Sequence, residues 1–207
     1  TTYYYNGTSH VFSEPVYYPI GTSLRKCVPS DNMTHVRMID GTKKYLFSTG
    51  EGSLIESAYI PDGERATLCV SSQVGCRMGC RFCASTLMGL ERNLTASEML
   101  DQIYAISRIT GERVSNVVVM GTGEPLDNYE NSIKAIRLLN HPKGINIGAR
   151  HISVSTSGLV PKIYRLAEEN IQCTLSISLH SANNEKRSQM MPVNNTYNIQ
   201  ELIRACK

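Results

Sequence analysis

The sequence predicts an α/β fold, a partial parallel (β/α) barrel preceded by a short β hairpin, and three observations carry that prediction. From about residue 65 onward, apolar strand-like runs alternate with amphipathic helical runs. Two further strand-like runs stand before them, bracketed by turn signals. The chemically unusual residues fall just after strands. Composition allows such a core: 207 residues, 41% hydrophobic and 19% charged, suit a globular domain. A formal net charge of +3 is compatible with a nucleic-acid partner without arguing for one.

Residues 1–38 are rich in Tyr, Pro, Ser and Thr without a sustained period, and are expected to form an irregular leader. Runs 43–48, after Asp40-Gly41, and 54–60, closed by Pro61-Asp62-Gly63, read as the two arms of a hairpin, an extension covering 39–61. The core follows over 62–207. Its first strand is 66–71, and its first helix, 95–109, has clear physical support. Thr95 and Glu98 have capping-box spacing, and Met99, Leu100, Ile103 and Ile106 recur at helical intervals. Strand 116–120, helix 132–139, strand 151–155, helix 162–169 and strand 173–178 come next, then helical stretches 184–190 and 199–206. Strands each followed by a helix imply parallel pairing with crossovers.

No apolar run approaches the ~20 residues needed to span a bilayer, and the first residues lack the basic and apolar regions of a signal peptide. A soluble, cytoplasmic monomer with no membrane partner is therefore expected. Seven cysteines is an odd number, and three of them crowd together as Cys76, Cys80 and Cys83, which suits metal ligation in a reducing setting better than a disulfide framework.

In a parallel barrel the C-terminal ends of the strands converge on one face, where active sites are built. Cys76 to Cys83 follow the first core strand and Gly121-Thr122-Gly123-Glu124-Pro125 the second. Ser155-Thr156-Ser157-Gly158 end the third, and Ser178-Leu179-His180 the fourth. The four groups are expected to form one site. Gly121-x-Gly123 lacks the third glycine of a dinucleotide fingerprint, because Leu126 stands in its place.

Thiolate is the usual iron–sulfur ligand, one per iron. Cys-x-x-x-Cys-x-x-Cys supplies three, leaving one iron of a 4Fe-4S cluster open to substrate. A structural zinc site completed by a distant His or Cys is the competing reading, although zinc usually takes its ligands as two separated pairs. Gly75 and Gly79 let the backbone curl around a cluster.

This spacing resembles the signature of the radical S-adenosylmethionine superfamily, and Gly123-Glu124-Pro125 resembles its second signature. The resemblance implies that the open iron chelates the amine and carboxylate of S-adenosylmethionine, whose cleavage yields a 5′-deoxyadenosyl radical. It also implies that Gly123, Glu124, Ser155, Ser178, Leu179 and His180 bind that cofactor.

Further stretches are similar to the dual-specificity RNA methyltransferases of the RlmN type: Asp40 to Phe47, Arg65 to Cys76, Arg92-Asn93-Leu94-Thr95, Gly123-Glu124-Pro125-Leu126, Ser155-Thr156-Ser157-Gly158 and Ser178-Leu179-His180. That family adds a methyl group to carbon 2 of adenine in 23S rRNA and tRNA, with an electron donor such as flavodoxin or ferredoxin. It does so through a methylated cysteine near its C-terminus.

By position, Glu56 resembles the base that removes the ring proton, and Cys69 the cysteine that resolves the enzyme–RNA thioether. Glu56 shares a strand face with Leu54, Ala58 and Ile60, so an apolar setting is expected to raise its pKa. Residues 1–38 do not match the family's pattern. The sequence reads as a C-terminally truncated fragment, expected to hold the cluster without completing methyl transfer. Arg77, Arg81, Arg92 and Arg150 are candidate phosphate contacts.

Overall fold

The computed structural model describes residues 40–49 and 53–207, together with the backbone of four short strands before them. Strand β1 (Thr2–Tyr5) pairs antiparallel with β2 (Thr8–Val11). Strands β3 (Tyr17–Ile20) and β4 (Val36–Arg37) both flank β5 (Lys43–Thr49), the first parallel and the second antiparallel. The expected irregular leader thus contains regular backbone. Its tyrosines favour extended structure, although no alternation reveals it. The rest of 1–38 lies outside the described residues.

Strands β5, β6 (Leu54–Asp62) and β7 (Arg65–Cys69) are successive antiparallel neighbours, so the expected hairpin is continuous with the core sheet. Strand β6 runs past its expected end: Pro61 stands opposite Ala66, and the chain reverses at Gly63, whose φ is 57°. A proline at a strand end need not donate to the ladder.

Strands β10 (Asn116–Val119), β11 (Ile152–Thr156) and β12 (Thr174–Ile177) then add to β7 in parallel, giving the order β12-β11-β10-β7-β6-β5-β3. Among the described residues this sheet is open, one wall of a barrel.

The helices pack on one face of that wall. α1 (Ala96–Thr110), α2 (Tyr129–Asn140) and α3 (Val160–Glu168) supply Met99, Ile103, Ile106, Ile133, Ile136 and Ile163 to one core with Phe47, Ile55, Tyr59, Leu68, Val117, Ile152 and Val154. Each fully buried large aliphatic side chain contributes about 1.5–3 kcal/mol. The alternate residues, Glu56, Ala58, Cys69, Val118, Ser153 and Ser155, lie on the other, half-buried face.

α1 begins with the expected box: the Glu98 amide donates to Thr95 Oγ1 (3.2 Å) and the Thr95 amide to Glu98 Oε2 (2.8 Å). Gly111 closes it with φ 71°. Gln102, buried mid-helix, accepts from Ser57 Oγ and the Ser71 amide through Oε1 and donates to the Ser71 carbonyl. It thereby pins α1 to the chain entering the cysteine loop.

That loop stands on a ribbon the sequence reading did not anticipate, β8 (Gln73–Gly75) paired with β9 (Leu90–Asn93). Two short helices, α4 (Asn184–Met190) and α5 (Ile199–Ala205), complete the chain. Among the described residues no helix is long and apolar enough to cross a membrane.

Candidate functional site

The strand ends converge as expected. A cleft of about 240 Å³ is lined by Cys76, Cys80 and Cys83, by Gly121, Gly123 and Glu124 after β10, by Ser155, Thr156 and Ser157 at the end of β11, and by Ser178 and His180 after β12. Leu179 is outside that lining. Its side chain packs against the core, and its carbonyl accepts from the Ser181 amide and from Arg187 Nε. At the mouth the rings of Phe82 and His180 lie 4.3 Å apart, His180 having a left-handed φ of 56°.

The cysteine loop is held at its foot by the Cys76 amide, which donates to the Gly89 carbonyl (2.9 Å). Gly75 and Gly79 have φ of 74° and 71°. Cys76 and Cys80 are buried and Cys83 is half-buried. Burial pushes the Cys76 thiol up to about 11, with the charges of Glu124, Cys80 and Cys83 adding to the rise. Burial likewise raises Cys80. A metal that binds Cys76 and Cys80 must therefore displace their protons.

Among the described residues no group of three or more His, Cys, Asp or Glu stands gathered so as to hold a metal ion. A polynuclear cluster asks for one thiolate per iron, that is, thiols standing around it. Ser157 also lines the cleft, and its buried Oγ has no hydrogen-bond partner among the described residues, a cost that a bound ligand would relieve. In its chemistry, three thiols and several hydroxyls lining one cleft, the donor set fits an iron–sulfur cluster with a polar co-substrate beside it.

The two glycines of Gly121-Thr122-Gly123 serve packing inside the protein. A Cβ on Gly123 would stand 2.6 Å from Gln73 Cβ, and one on Gly121 would stand 2.8 Å from the Val70 carbonyl. The loop is then laced to the chain below it. The amides of Ser72 and Gln73 donate to the Thr122 carbonyl, the Thr122 amide donates to Ser71 Oγ, and the Glu124 amide donates to Gln73 Oε1. Asn128 Nδ2 adds bonds to the carbonyls of Ser72 (2.8 Å) and Leu94 (2.7 Å). These bonds tie the chain that leads into the cysteine loop to the Gly-Glu-Pro loop.

Glu124 is 3% exposed. Its Oε1 accepts from the Leu126 amide (3.1 Å) and its Oε2 from the Ser157 amide (2.7 Å), so it brackets the ends of β10 and β11. Burial raises its pKa, and the Ser157, Thr156 and Leu126 donors oppose the rise. Ser155 Oγ and Ser178 Oγ lie 3.2 Å apart, which joins β11 and β12 at the same rim.

Glu56 and Cys69 do not line the cleft. They share the half-buried sheet face, since Ala58, two residues beyond Glu56, stands opposite both Cys69 and Lys44. The apolar setting expected for Glu56 is not what its neighbours provide. Its carboxylate is 42% exposed and paired with Lys44 Nζ at 2.8 Å. Strand β5 delivers a lysine to that face, which the pattern of β6 alone does not show. Burial raises the Cys69 thiol, opposed by the Met120 backbone and by Lys44.

The arginines divide. Arg77 forks onto Asp127, beside the cysteine loop. Arg92 forks onto Glu98 at 2.7 and 3.0 Å, and Arg81 is exposed. Arg150 is in the turn that precedes β11, at the opposite edge of the sheet from the cleft, because parallel strands begin where they do not end. The residue that sequence reasoning missed is Arg187, treated below. Only its place on α4, with no motif around it, marks it in the sequence.

Residues 70–207 match the family model of the radical SAM superfamily. A probable dual-specificity RNA methyltransferase RlmN from Lachnospira eligens is 54% identical over 186 residues, covering 90% of this chain and 53% of that protein. One of the same name from Clostridioides difficile is 53% identical over 169 residues, covering 82% and 49%. The crystal structure of a radical SAM methyltransferase from Sphaerobacter thermophilus aligns with a TM-score of 0.78 at 49% identity, covering 83% of this chain and 52% of that one. The chain thus spans about half the length of the relatives it matches.

Proposed function

The chain belongs to the radical SAM superfamily, and from that premise we propose that it is the catalytic core of an RNA methyltransferase that adds a methyl group to carbon 2 of adenine in 23S rRNA and tRNA. The observation that carries the proposal is the convergence of Cys76, Cys80 and Cys83 with Gly123, Glu124, Ser155, Ser178 and His180 on one cleft, in a chain 54% identical over 186 residues to a protein named as a probable dual-specificity RNA methyltransferase.

Cys76, Cys80 and Cys83 would hold a 4Fe-4S cluster, one thiolate to an iron. When bound, the cluster supplies the electron that opens S-adenosylmethionine to radical chemistry, which carbon 2 of adenine requires because it is too electron-poor for simple displacement. An external donor of the flavodoxin or ferredoxin kind delivers that electron.

The chain's own residues position and exclude. Glu124 keeps two amides aligned at the rim and has lone pairs left to accept from the cofactor's ammonium, a charge-assisted bond. Ser155 and Ser178 offer hydroxyls for a ribose, Ser157 an unspent one, and the His180 and Phe82 rings wall the mouth. Leu179 would contribute through its backbone, its side chain being committed to the core.

Glu56 would take the ring proton, held by Lys44, and Cys69 on the same face would resolve the thioether by disulfide exchange. Both stand beside the cleft, so these two roles require the RNA to reach the half-buried sheet face next to it.

Two measurements test the proposal. The anaerobically reconstituted chain, given S-adenosylmethionine and dithionite, is expected to release 5′-deoxyadenosine, and its absence would sink the radical reading. Deletion of the encoding gene is expected to remove 2-methyladenosine from 23S rRNA and tRNA. Unchanged levels in both would assign the radical chemistry to another substrate.

A further inference from the structure

Arg187, on α4, is completely buried, and every acceptor it reaches is uncharged. Nε donates to the Leu179 carbonyl at 3.2 Å and Nη1 to Asn194 Oδ1 at 2.6 Å. Nη2 donates to the Ser157 carbonyl at 2.5 Å and, more weakly, to the Ser178 carbonyl at 3.5 Å. Among the described residues no ion pair involves it. A guanidinium does not give up its proton in a protein, and carbonyl dipoles only partly replace the water it has lost. A fold that buries such a charge needs a negative partner nearby.

Glu124 is a buried carboxyl group on this rim. It binds the amide of Ser157, whose carbonyl Arg187 holds, but it does not touch the guanidinium and already has two donors of its own. The cysteine loop is the remaining source of negative charge. The Arg81 amide of that loop donates to the Met190 carbonyl at the end of α4 (2.9 Å), and the Met191 amide donates to the Arg187 carbonyl (2.7 Å). Met191 and Val193 pack with Cys80 in one small buried cluster.

We infer that Arg187 is a built-in counter-charge for the cysteine loop, offsetting the negative charge that three thiolates bring to an iron–sulfur cluster and so setting how readily that cluster accepts an electron. The inference rests on the iron–sulfur reading above. Reduction adds one electron from the external donor and no proton, so the reduced state is the more negative one. A fixed positive charge in a site of low dielectric favours that state. Arg187 is a positioning residue as well, since its fork joins the carbonyls at the ends of β11 and β12 to Asn194.

The test is the midpoint potential of the reconstituted cluster, followed by electron paramagnetic resonance during titration with dithionite. Arg187→Gln keeps hydrogen-bonding capacity without charge and is expected to lower the potential by at least the equivalent of a tenfold change in the reduction equilibrium, about 59 mV for one electron. Arg187→Lys is expected to stay within half of that. Asn194→Asp leaves Arg187 in place and sets a carboxylate against Nη1; it is expected to lower the potential too, and it decides the matter alone if Arg187→Gln does not fold. Potentials equal to wild type in the iron-loaded Gln and Asp variants would reduce Arg187 to a structural brace and overturn the inference. A wild-type chain that takes up no iron and sulfide would overturn the reading beneath it as well, and is recognised before any variant is made.

Discussion

Gly75→Ala is the sharpest perturbation of the cysteine loop. At φ 74° an alanine adopts a left-handed conformation, which costs about 1–2 kcal/mol. Its Cβ would overlap the Gly89 carbonyl oxygen, the atom that accepts from the Cys76 amide at 2.9 Å. Moving that carbonyl aside costs the hydrogen bond and adds overpacking strain. The combined loss is about 3–6 kcal/mol, a large share of the ~5–15 kcal/mol that holds a typical domain folded.

Gly89→Ala is the internal control. Gly89 has a similar φ of 69°, but a Cβ there meets nothing within 4 Å, so only the backbone cost of about 1–2 kcal/mol applies. Urea unfolding of the two variants, with iron content after anaerobic reconstitution, separates steric from conformational effects. Gly75→Ala is expected to lose several times more stability and most of its iron. Equal losses, or full iron in a Gly75→Ala chain within 1 kcal/mol of wild type, would refute the view that the β8–β9 ribbon holds the loop in its ligating shape.

Other residues make separate tests possible. Asn128→Ala leaves the buried Leu94 carbonyl without its side-chain donor and the Ser72 carbonyl with the Leu94 amide alone, and should cost about 1–3 kcal/mol in urea unfolding; a loss under about 0.5 kcal/mol would mean that Asn128 is not a brace for this corner. Glu124→Gln presents one acceptor to two amides, so S-adenosylmethionine should bind at least about tenfold more weakly by equilibrium dialysis, a difference of about 1.4 kcal/mol; unchanged affinity would free Glu124 from any cofactor role. Burial alone would raise the Glu98 carboxyl, but Arg92 and Thr95 outweigh it and hold the pKa below the ordinary value. Its stabilisation is therefore complete above the unfolded value near ~4.3 and is lost as pH falls through the lower folded value. Arg92→Met should cost about 0.5–1 kcal/mol at pH 7 and flatten the acid-side decline in unfolding free energy, and an unchanged pH profile would contradict that assignment.

Much of this arrangement was legible in the residues, and the reasons are specific. Alternation along 43–48 and 54–60 and the Thr95/Glu98 box are local signals, and the observed hairpin and helix follow them. The strand-end groups became one site because parallel pairing alone brings C-terminal ends together. What escaped depends on contacts distant in sequence. The β8–β9 ribbon encloses the cysteine loop without a turn dipeptide to announce it. Glu56 meets Lys44 only through the pairing of two strands. Leu179 turned inward beside two cleft residues, and Glu124 was already bound to backbone amides. Arg187 sits on a short helix where an arginine ordinarily faces water, and only the assembled ends of β11, β12 and α4 bury it.

The most direct measurement is anaerobic iron and acid-labile sulfide analysis, with an absorbance spectrum, on the reconstituted protein and on Cys80→Ala. The account predicts about four irons and four sulfides per chain, the content of a single 4Fe-4S cluster, and their loss in the variant. Zinc in place of iron, or a folded chain that takes up no metal, would contradict it.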